Sequence, residues 1–124
     1  MNQIQILEKL ISYKSISETS NIEIAEFIID FLKKLGFKSN KIEGHKGRFN
    51  VYSCIGPDKD GGIVLSGHTD VVPTTGQSWH TDPFKLHQKG RRLYGRGSAD
   101  MKGFISVVLS LMKKVKTNKL KKPI

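Results

Sequence analysis

Cysteine is nearly absent from this sequence, with Cys54 the single one among 124 residues. One cysteine cannot form an internal disulfide, so we expect a protein of a reducing compartment and not a disulfide-held secreted domain. Cys54 lies in the β-type run Val51–Ile55. We predict a packed strand cysteine there, because a free cysteine usually behaves as a small buried apolar residue.

The sequence also lacks long apolar runs. No stretch approaches the roughly 20 apolar residues that a membrane-spanning helix needs. The segment Ile4–Ile11 is apolar but is interrupted by Gln5, Glu8 and Lys9, and no basic region precedes it as in a secretory signal. We therefore expect a cytoplasmic protein with no membrane partner.

Acidic residues are scarce. The chain has 11 Asp and Glu against 21 Lys and Arg, which gives a formal net charge of +10. Such an excess can mark a nucleic-acid-binding surface. Here the basic residues are spread out, are densest at 113–116 and 119–122, and accompany no nucleic-acid motif. We predict no nucleic-acid partner and keep a basic binding module as the alternative from another class.

The sequence does have a hydrophobic content of 37%, which is enough for a core. The spacing of its apolar residues changes along the chain. Apolar residues at helical spacing predict a helix around Ile4–Ile11. A second helix is predicted to begin at a capping box, Ser20–Glu23, and to end at Gly36.

The next segments change to strand-like patterns. Strands are predicted at Phe37–Glu43 and Arg48–Ile55, a hairpin at Leu86–Leu93, and a largely buried helix at 102–116. The apolar run Ile63–Gly67 predicts a buried central strand. Together these elements indicate one α/β layered domain.

The first candidate site is Ser66–Asp70, directly after the predicted central strand, where open α/β sheets bind ligands. Side chains two residues apart in extended chain point the same way, so Asp70 can accept the N–H of His68 and fix its tautomer. Metal-bound histidines are commonly held in this way. Taken alone, His-x-Asp also fits an ordinary structural hydrogen bond.

The second candidate site is the glycine-rich segment Tyr94–Gly103, which leads into the last predicted helix. Asp100 can be a simple N-cap residue. It can also present two oxygens to two cations, which lie roughly 3.5–4 Å apart in two-metal hydrolytic sites. A dinucleotide fingerprint fits poorly, because Asp100 stands where the third glycine belongs.

Together the two segments resemble the M20 metallopeptidase and deacylase family. The resemblance covers the whole chain and is most specific in HTDVVP at 68–73, WHTDPF at 79–84 and LYGRGSADMKG at 93–103. It implies a three-layer α/β/α, zinc-exopeptidase-like catalytic domain with a mixed sheet. It also implies that His68 binds a metal ion, that Asp70 orients it and counts as catalytic, and that Asp100 bridges two metal ions. The implied metal is zinc, two ions in a complete enzyme, with cobalt as a possible substitute.

Within the family, LSGH at 65–68, RFNV at 48–51 and SADMKGF at 98–104 are most similar to the acetylornithine deacetylase subfamily. This similarity implies removal of the acetyl group of N-acetylornithine in arginine biosynthesis. Succinyl-diaminopimelate desuccinylases and general aminoacylases or peptidases remain the alternatives, as does a non-catalytic remnant. The implied partner is a small N-acyl amino acid, and homodimers are usual in the family.

The sequence departs from the family pattern in what it lacks. The family's Glu-Glu pair, a later acidic ligand and a late histidine have no counterpart here. We therefore expect residues 1–124 to form the N-terminal portion of a catalytic domain that is truncated before completion, without the lid or dimerisation domain. Because catalytic zinc normally has three protein ligands, we expect weak zinc binding and no hydrolysis by the chain alone. We interpret His45, His80 and His87 as solvated surface histidines, and Lys102 as a helix-surface lysine.

Overall fold

The computed structural model describes all 124 residues. Its helices are α1 (Gln3–Ser12), α2 (Ile22–Lys34) and α3 (Lys102–Met112), and its strands are β1 (Asn40–Glu43), β2 (Phe49–Tyr52), β3 (His87–Lys89) and β4 (Arg92–Tyr94). A short 3₁₀ turn spans Thr117–Lys119. None of the helices is both long and apolar enough to cross a membrane.

The three helices share one hydrophobic core. Helix α1 is amphipathic as predicted, although it buries Ile6 completely and leaves Ile4 45% exposed. Helix α2 buries in this core the face that its sequence periodicity indicates. Helix α3 packs against α1. The buried members of this core are Ile6, Leu10, Ile24, Ile28, Leu32, Ile55, Leu109 and Met112.

The start of α2 differs from the prediction. The capping residue is Asn21 rather than Ser20, and the Asn21 side chain makes no cap hydrogen bond. The Asn21 amide instead accepts from the Phe49 backbone N–H at 2.7 Å and donates to the Phe49 carbonyl at 2.9 Å. The capping box was therefore wrong, because the Asn21 side chain is used to attach the helix to β2. The predicted end is confirmed, since Gly36 has a φ of +82° directly after the C-cap residue Leu35.

The predicted hairpin forms, and the two predicted strands before it pair as a second hairpin. β1 and β2 are antiparallel, with Asn40 opposite Tyr52 and Glu43 opposite Phe49, and β3 pairs with β4 around Gly90. The strands are shorter than predicted, and β2 ends at Tyr52. Cys54 therefore lies outside the strand and is exposed, so the prediction of a packed strand cysteine was wrong.

The run Ile63–Gly67 does not form the predicted buried strand. Val64 is 88% exposed and Ile63 is 64% exposed. The Ile63 N–H donates to the Pro123 carbonyl at 3.1 Å, whereas the backbone of residues 64–67 makes no hydrogen bond within the protein. A strand requires such a ladder, and an apolar strand is buried only when elements cover it, so this prediction was wrong for the chain.

Helix α3 begins at Lys102 as predicted and ends at Met112, four residues early. It is buried on one side only, since Val107 and Leu111 are each 48% exposed. Beyond the helix the chain returns to the end of β2, where Ile55 and Ile124 exchange two backbone hydrogen bonds of 2.9 Å. These bonds position the last residues beside the hairpin.

Candidate functional site

The backbone around His68 and Asp70 is held by the segment that joins α1 to α2. Ile16 and Val71 form an isolated parallel bridge. The Val71 N–H donates to the Ser15 carbonyl and the Ser17 N–H donates to the Val71 carbonyl, both at 2.9 Å. Because these bonds lie on both sides of the bridge, they fix the direction of the chain through residues 69–71.

The turn that carries Asp100 packs onto the same bridge. Gly97 is buried and has a φ of +83°, and a Cβ atom there would lie 2.8 Å from Cγ1 of Val71. Only glycine fits both the left-handed backbone and this close approach. The Lys102 N–H donates to the Gly97 carbonyl at 2.9 Å, which starts α3 directly beside the turn. Asp100 precedes the capping residue Met101 and makes no cap hydrogen bond, so the N-cap alternative is not what the structure contains.

These two supports bring His68, Asp70 and Asp100 together. His68 Nδ1 lies 3.0 Å from the Asp70 carbonyl oxygen and 3.2 Å from its Oδ1. On the other side of the ring, Nε2 lies 3.1 Å from Oδ1 of Asp100. The side chains of His68 and Asp70 are about half exposed, and that of Asp100 is 86% exposed. The arrangement therefore opens to solvent at Asp100.

The electrostatic environment favours the charged forms of His68 and Asp70. Partial desolvation lowers the pKa of His68, but hydrogen bonds to the Asp70 carbonyl and to Asp100, together with both carboxylate charges, outweigh it and raise the pKa above 6.5. The pKa of Asp70 lies below its ordinary value, chiefly because the Ser17 hydroxyl donates to its carboxylate and also because His68 is close. Asp70 is thus an anion over the working pH range of most proteins.

The pair His68–Asp100 has the chemistry of a cation site. When the Nδ1–H of His68 donates to Asp70, Nε2 keeps its lone pair and faces a carboxylate oxygen, which is also an acceptor. Two acceptors at 3.1 Å require a proton or a cation between them. Zinc takes nitrogen and oxygen ligands at about 2.0–2.2 Å, so two ligands of one tetrahedral ion lie roughly 3.3–3.6 Å apart. The donors fit zinc in type and spacing, but no cluster of three or more His, Cys, Asp or Glu residues that could hold a metal ion exists in the chain.

The remaining histidines form no hydrogen bond or ion pair with His68, Asp70 or Asp100. His45, His80 and His87 are all exposed, as expected for solvated side chains. Trp79 belongs to the loop that precedes β3, where Arg96 lies over its ring at 5.2 Å and donates to Gln77. This contact packs the loop against the glycine-rich turn.

Ser17 was not identified from the sequence, and the interpretation of Lys102 as a helix-surface lysine was wrong. The Ser17 hydroxyl donates to Asp70 Oδ2 at 2.7 Å, across 53 positions of chain. Lys102 is fully buried rather than on the helix surface, and its Nζ donates to the Tyr13 carbonyl at 2.7 Å. Burial lowers the pKa of Lys102 to about 8. Neither contact leaves a local signal, because each joins segments that are distant in the chain.

An open apolar cleft of about 1060 Å³ adjoins His68 and Asp70. Its walls come from α2, β2, α3, the extended run 63–67 and the last two residues. The exposed side chains Val64 and Phe104 belong to this cleft. The site therefore lies at the end of an apolar surface and not inside an enclosed pocket.

Comparison with known proteins relates the chain to one family. Residues 64–124 match the model of peptidase family M20/M25/M40. The chain is 40% identical to an acetylornithine deacetylase of Shigella sonnei and 39% identical to one of Vibrio parahaemolyticus, each over 98% of this chain and 33% of the relative. The chain thus spans about a third of the length of the curated relatives that it matches.

Solved structures agree with this relationship. An M20 family metallo-carboxypeptidase from Sulfolobus solfataricus superposes with a TM-score of 0.79 and 30% identity, over 92% of this chain and 27% of that chain. Human carnosine dipeptidase 1 superposes with a TM-score of 0.76 over 98% of this chain and 30% of that chain. Its 24% identity supports the fold alone. These likenesses confirm the α/β fold class predicted from the sequence.

Proposed function

This chain is related to peptidase family M20/M25/M40, and from that premise we propose that it contributes to metal-dependent hydrolysis of the amide bond in an N-acyl amino acid. One observation carries the proposal: Nε2 of His68 faces Oδ1 of Asp100 at 3.1 Å, while Nδ1 faces Asp70. A histidine oriented by one carboxylate and facing a second, solvent-open carboxylate is suited to bind a divalent cation.

Each of the three residues has a separate role in this proposal. His68 would hold the ion through Nε2, Asp70 keeps the imidazole in the Nδ1–H tautomer, and the carboxylate of Asp100 would hold metal on the solvent-open side. Zinc, or cobalt in its place, polarises the amide carbonyl and lowers the pKa of water when it is bound. Because only two direct donors come from this chain, we propose that residues 1–124 bind zinc weakly and that hydrolysis needs donors from outside them.

We further propose N-acetylornithine as the substrate. The 40% identity to an acetylornithine deacetylase extends over 98% of this chain and includes the candidate site. The 30% identity to a metallo-carboxypeptidase supports a peptidase or aminoacylase as the second candidate. Succinyl-diaminopimelate has two more carboxylates than N-acetylornithine, one on the acyl group and one on the amino acid, so comparative assays separate these activities.

The same relationship supports a proposal about the larger protein. We propose that residues 1–124 are the N-terminal portion of a catalytic domain whose remaining elements cover the cleft, and that the active enzyme is a cytoplasmic homodimer. The exposed apolar run at 63–65 supports coverage by further structure, because such runs are normally buried.

Zinc titration of the chain tests the metal site. In competition with a chromophoric chelator, the wild-type chain is expected to bind zinc. His68→Ala is expected to weaken binding by at least about 10-fold, because loss of a ligand costs no less than loss of the ligand's outer partner. His80→Ala is the matched control, because His80 is an exposed histidine outside the site. Equal binding by wild type and His68→Ala would remove the metal-site assignment.

A chimera tests the substrate. This chain replaces the corresponding third of the Shigella sonnei acetylornithine deacetylase, to which it aligns over 98% of its length. We expect the chimera to release acetate from N-acetylornithine faster than it releases succinate from N-succinyl-diaminopimelate, and His68→Ala to abolish both reactions. A folded, zinc-loaded chimera that hydrolyses neither compound would contradict the proposal.

A further inference from the structure

We propose that Ser17 is a positioning residue for the His68–Asp70 pair. Its hydroxyl holds one oxygen of the Asp70 carboxylate, so that the other oxygen faces Nδ1 of His68. The inference rests on the proposed function, because it concerns the orientation of the histidine that would bind the metal ion. Ser17 itself touches neither the ion nor the substrate in this proposal.

The backbone places Ser17 at this position independently of its side chain. The Ser17 N–H donates to the Val71 carbonyl at 2.9 Å, and the adjacent Ile16 forms the parallel bridge with Val71. Ser15, which is 3% exposed, adds a hydroxyl bond of 2.6 Å to the Thr69 carbonyl. These contacts lie on both sides of Asp70, so the Ser17 Cβ is held over the carboxylate whichever side chain it carries.

The two oxygens of Asp70 have different partners. Oδ2 accepts from the Ser17 hydroxyl at 2.7 Å, and Oδ1 lies 3.2 Å from Nδ1 of His68. The Ser17 hydroxyl has one proton, and its 3.4 Å contact with the Val71 carbonyl is long, so the proton is given to the carboxylate. Hydrogen bonds to an ionised acceptor are the stronger kind.

Exposure explains why Asp70 needs this partner. The Asp70 side chain is 51% exposed, so packing alone does not fix its rotation, and water competes for its oxygens. A fixed donor on Oδ2 restricts that rotation and keeps Oδ1 directed at the imidazole. The Asp70 carbonyl oxygen also lies 3.0 Å from Nδ1 of His68, so the carboxylate that Ser17 holds adds to that bond in setting the tautomer of His68 and the lone pair on Nε2.

Three variants separate positioning from a general effect on folding. Ser17→Ala removes the hydroxyl and keeps the backbone bonds. Ser17→Thr retains a hydroxyl and is expected to restore the wild-type behaviour. Ser12→Ala is the control, because the exposed Ser12 hydroxyl donates at 2.7 Å to the Lys9 carbonyl, away from the site.

The first measurement is the nitrogen NMR spectrum of the His68 ring in the metal-free 124-residue chain, with hydrogen exchange of the Val71 amide alongside. We expect Ser17→Ala to lower the fraction of the Nδ1–H tautomer, while Val71 protection changes by less than about 3-fold. We expect zinc binding to weaken by about 3- to 10-fold, less than the roughly 10- to 100-fold typical of direct partners of metal ligands. Ser17→Thr should recover both values, and Ser12→Ala should change neither.

Two outcomes overturn the inference. One is an unchanged His68 spectrum in Ser17→Ala. The other is a changed His68 spectrum together with a loss of Val71 protection large enough to account for it, which would make Ser17 a structural contact. Failure of the proposed function is recognised separately. If the wild-type chain binds no zinc but Ser17→Ala alters the His68 tautomer, the metal site is wrong and the positioning role stands.

Discussion

Lys102 shows how the tertiary structure changes the properties of a single residue. At the start of a helix a lysine is ordinarily exposed, yet Lys102 is completely buried and its ammonium group has the Tyr13 carbonyl as its hydrogen-bond acceptor. No carboxylate pairs with it. Burial of the charge without an opposite charge is unfavourable, and this desolvation lowers the pKa of Lys102 from 10.5 to about 8.

The lowered pKa predicts a pH-dependent stability. Between pH 8 and pH 10.5 the folded chain has released a proton that the unfolded chain still binds, so the free energy of unfolding from this group rises with pH in that window. The contribution is about 1.4 kcal/mol for each unit between the two pKa values. Lys102→Met removes the titrating group while keeping much of its volume.

Urea unfolding of both proteins from pH 7 to pH 10.5 measures this effect. We expect the free energy of unfolding of the wild type, relative to that of Lys102→Met, to increase as the pH rises. Every other titrating group is common to the two chains, so the difference reports Lys102 alone. Parallel pH profiles for the two proteins would mean that the ammonium group is hydrated rather than buried.

At the scale of elements, the turn before α3 determines where Asp100 lies. Gly97 combines a φ of +83° with a close approach to Val71, which itself bridges to Ile16. The turn, the bridge and the start of α3 therefore meet at one glycine. A side chain at this position strains the backbone and also pushes two elements apart.

We predict that Gly97→Ala lowers the free energy of unfolding by about 2–4 kcal/mol, from the left-handed backbone and the overpacking together. Gly76→Ala is the matched control, since Gly76 has a φ of +76° but nothing within 4 Å of its added Cβ. The control substitution is expected to lower the free energy of unfolding by only about 1–2 kcal/mol. Chemical denaturation measures both, and equal losses would show that the contact with Val71 is unimportant.

For the whole molecule, the notable surface is the exposed apolar run at residues 63–65. Val64 is 88% exposed, and the backbone from 64 to 67 has no hydrogen-bond partner within the protein. Unpaired backbone with apolar side chains is a template for pairing with another chain. We predict that the isolated chain self-associates as its concentration rises, despite a net charge of +10.

Val64→Lys tests this prediction, because a charge on an unpaired backbone segment opposes pairing with another chain. We expect sedimentation velocity to show less self-association for the variant, with an unchanged unfolding midpoint because Val64 is outside the core. Lys59→Ala, a change in the exposed turn before the run, serves as the control. Self-association that persists in Val64→Lys would place the contact elsewhere.

Local patterns in the sequence were sufficient for several features. The two opening helices, the hairpins and the start of α3 follow from apolar spacing and from glycine at Gly36 and Gly90, which are effects within a few residues of chain. The closeness of the His68 and Asp70 side chains also follows from their spacing of two residues. The resemblance of the motifs to a known family indicated Asp100 as the third member of the site.

Tertiary structure alone decided the features that depend on distant segments. The bond from Ser17 to Asp70 spans 53 positions and that from Lys102 to Tyr13 spans 89, so no local pattern encodes them. The same reason explains the errors at Asn21, whose side chain binds β2, and at Ile63–Gly67, whose apolar residues lack covering elements. An amino-acid sequence determines which groups can form strands, caps or ion pairs, but burial and partners are properties of the folded chain, because they depend on which segments pack together.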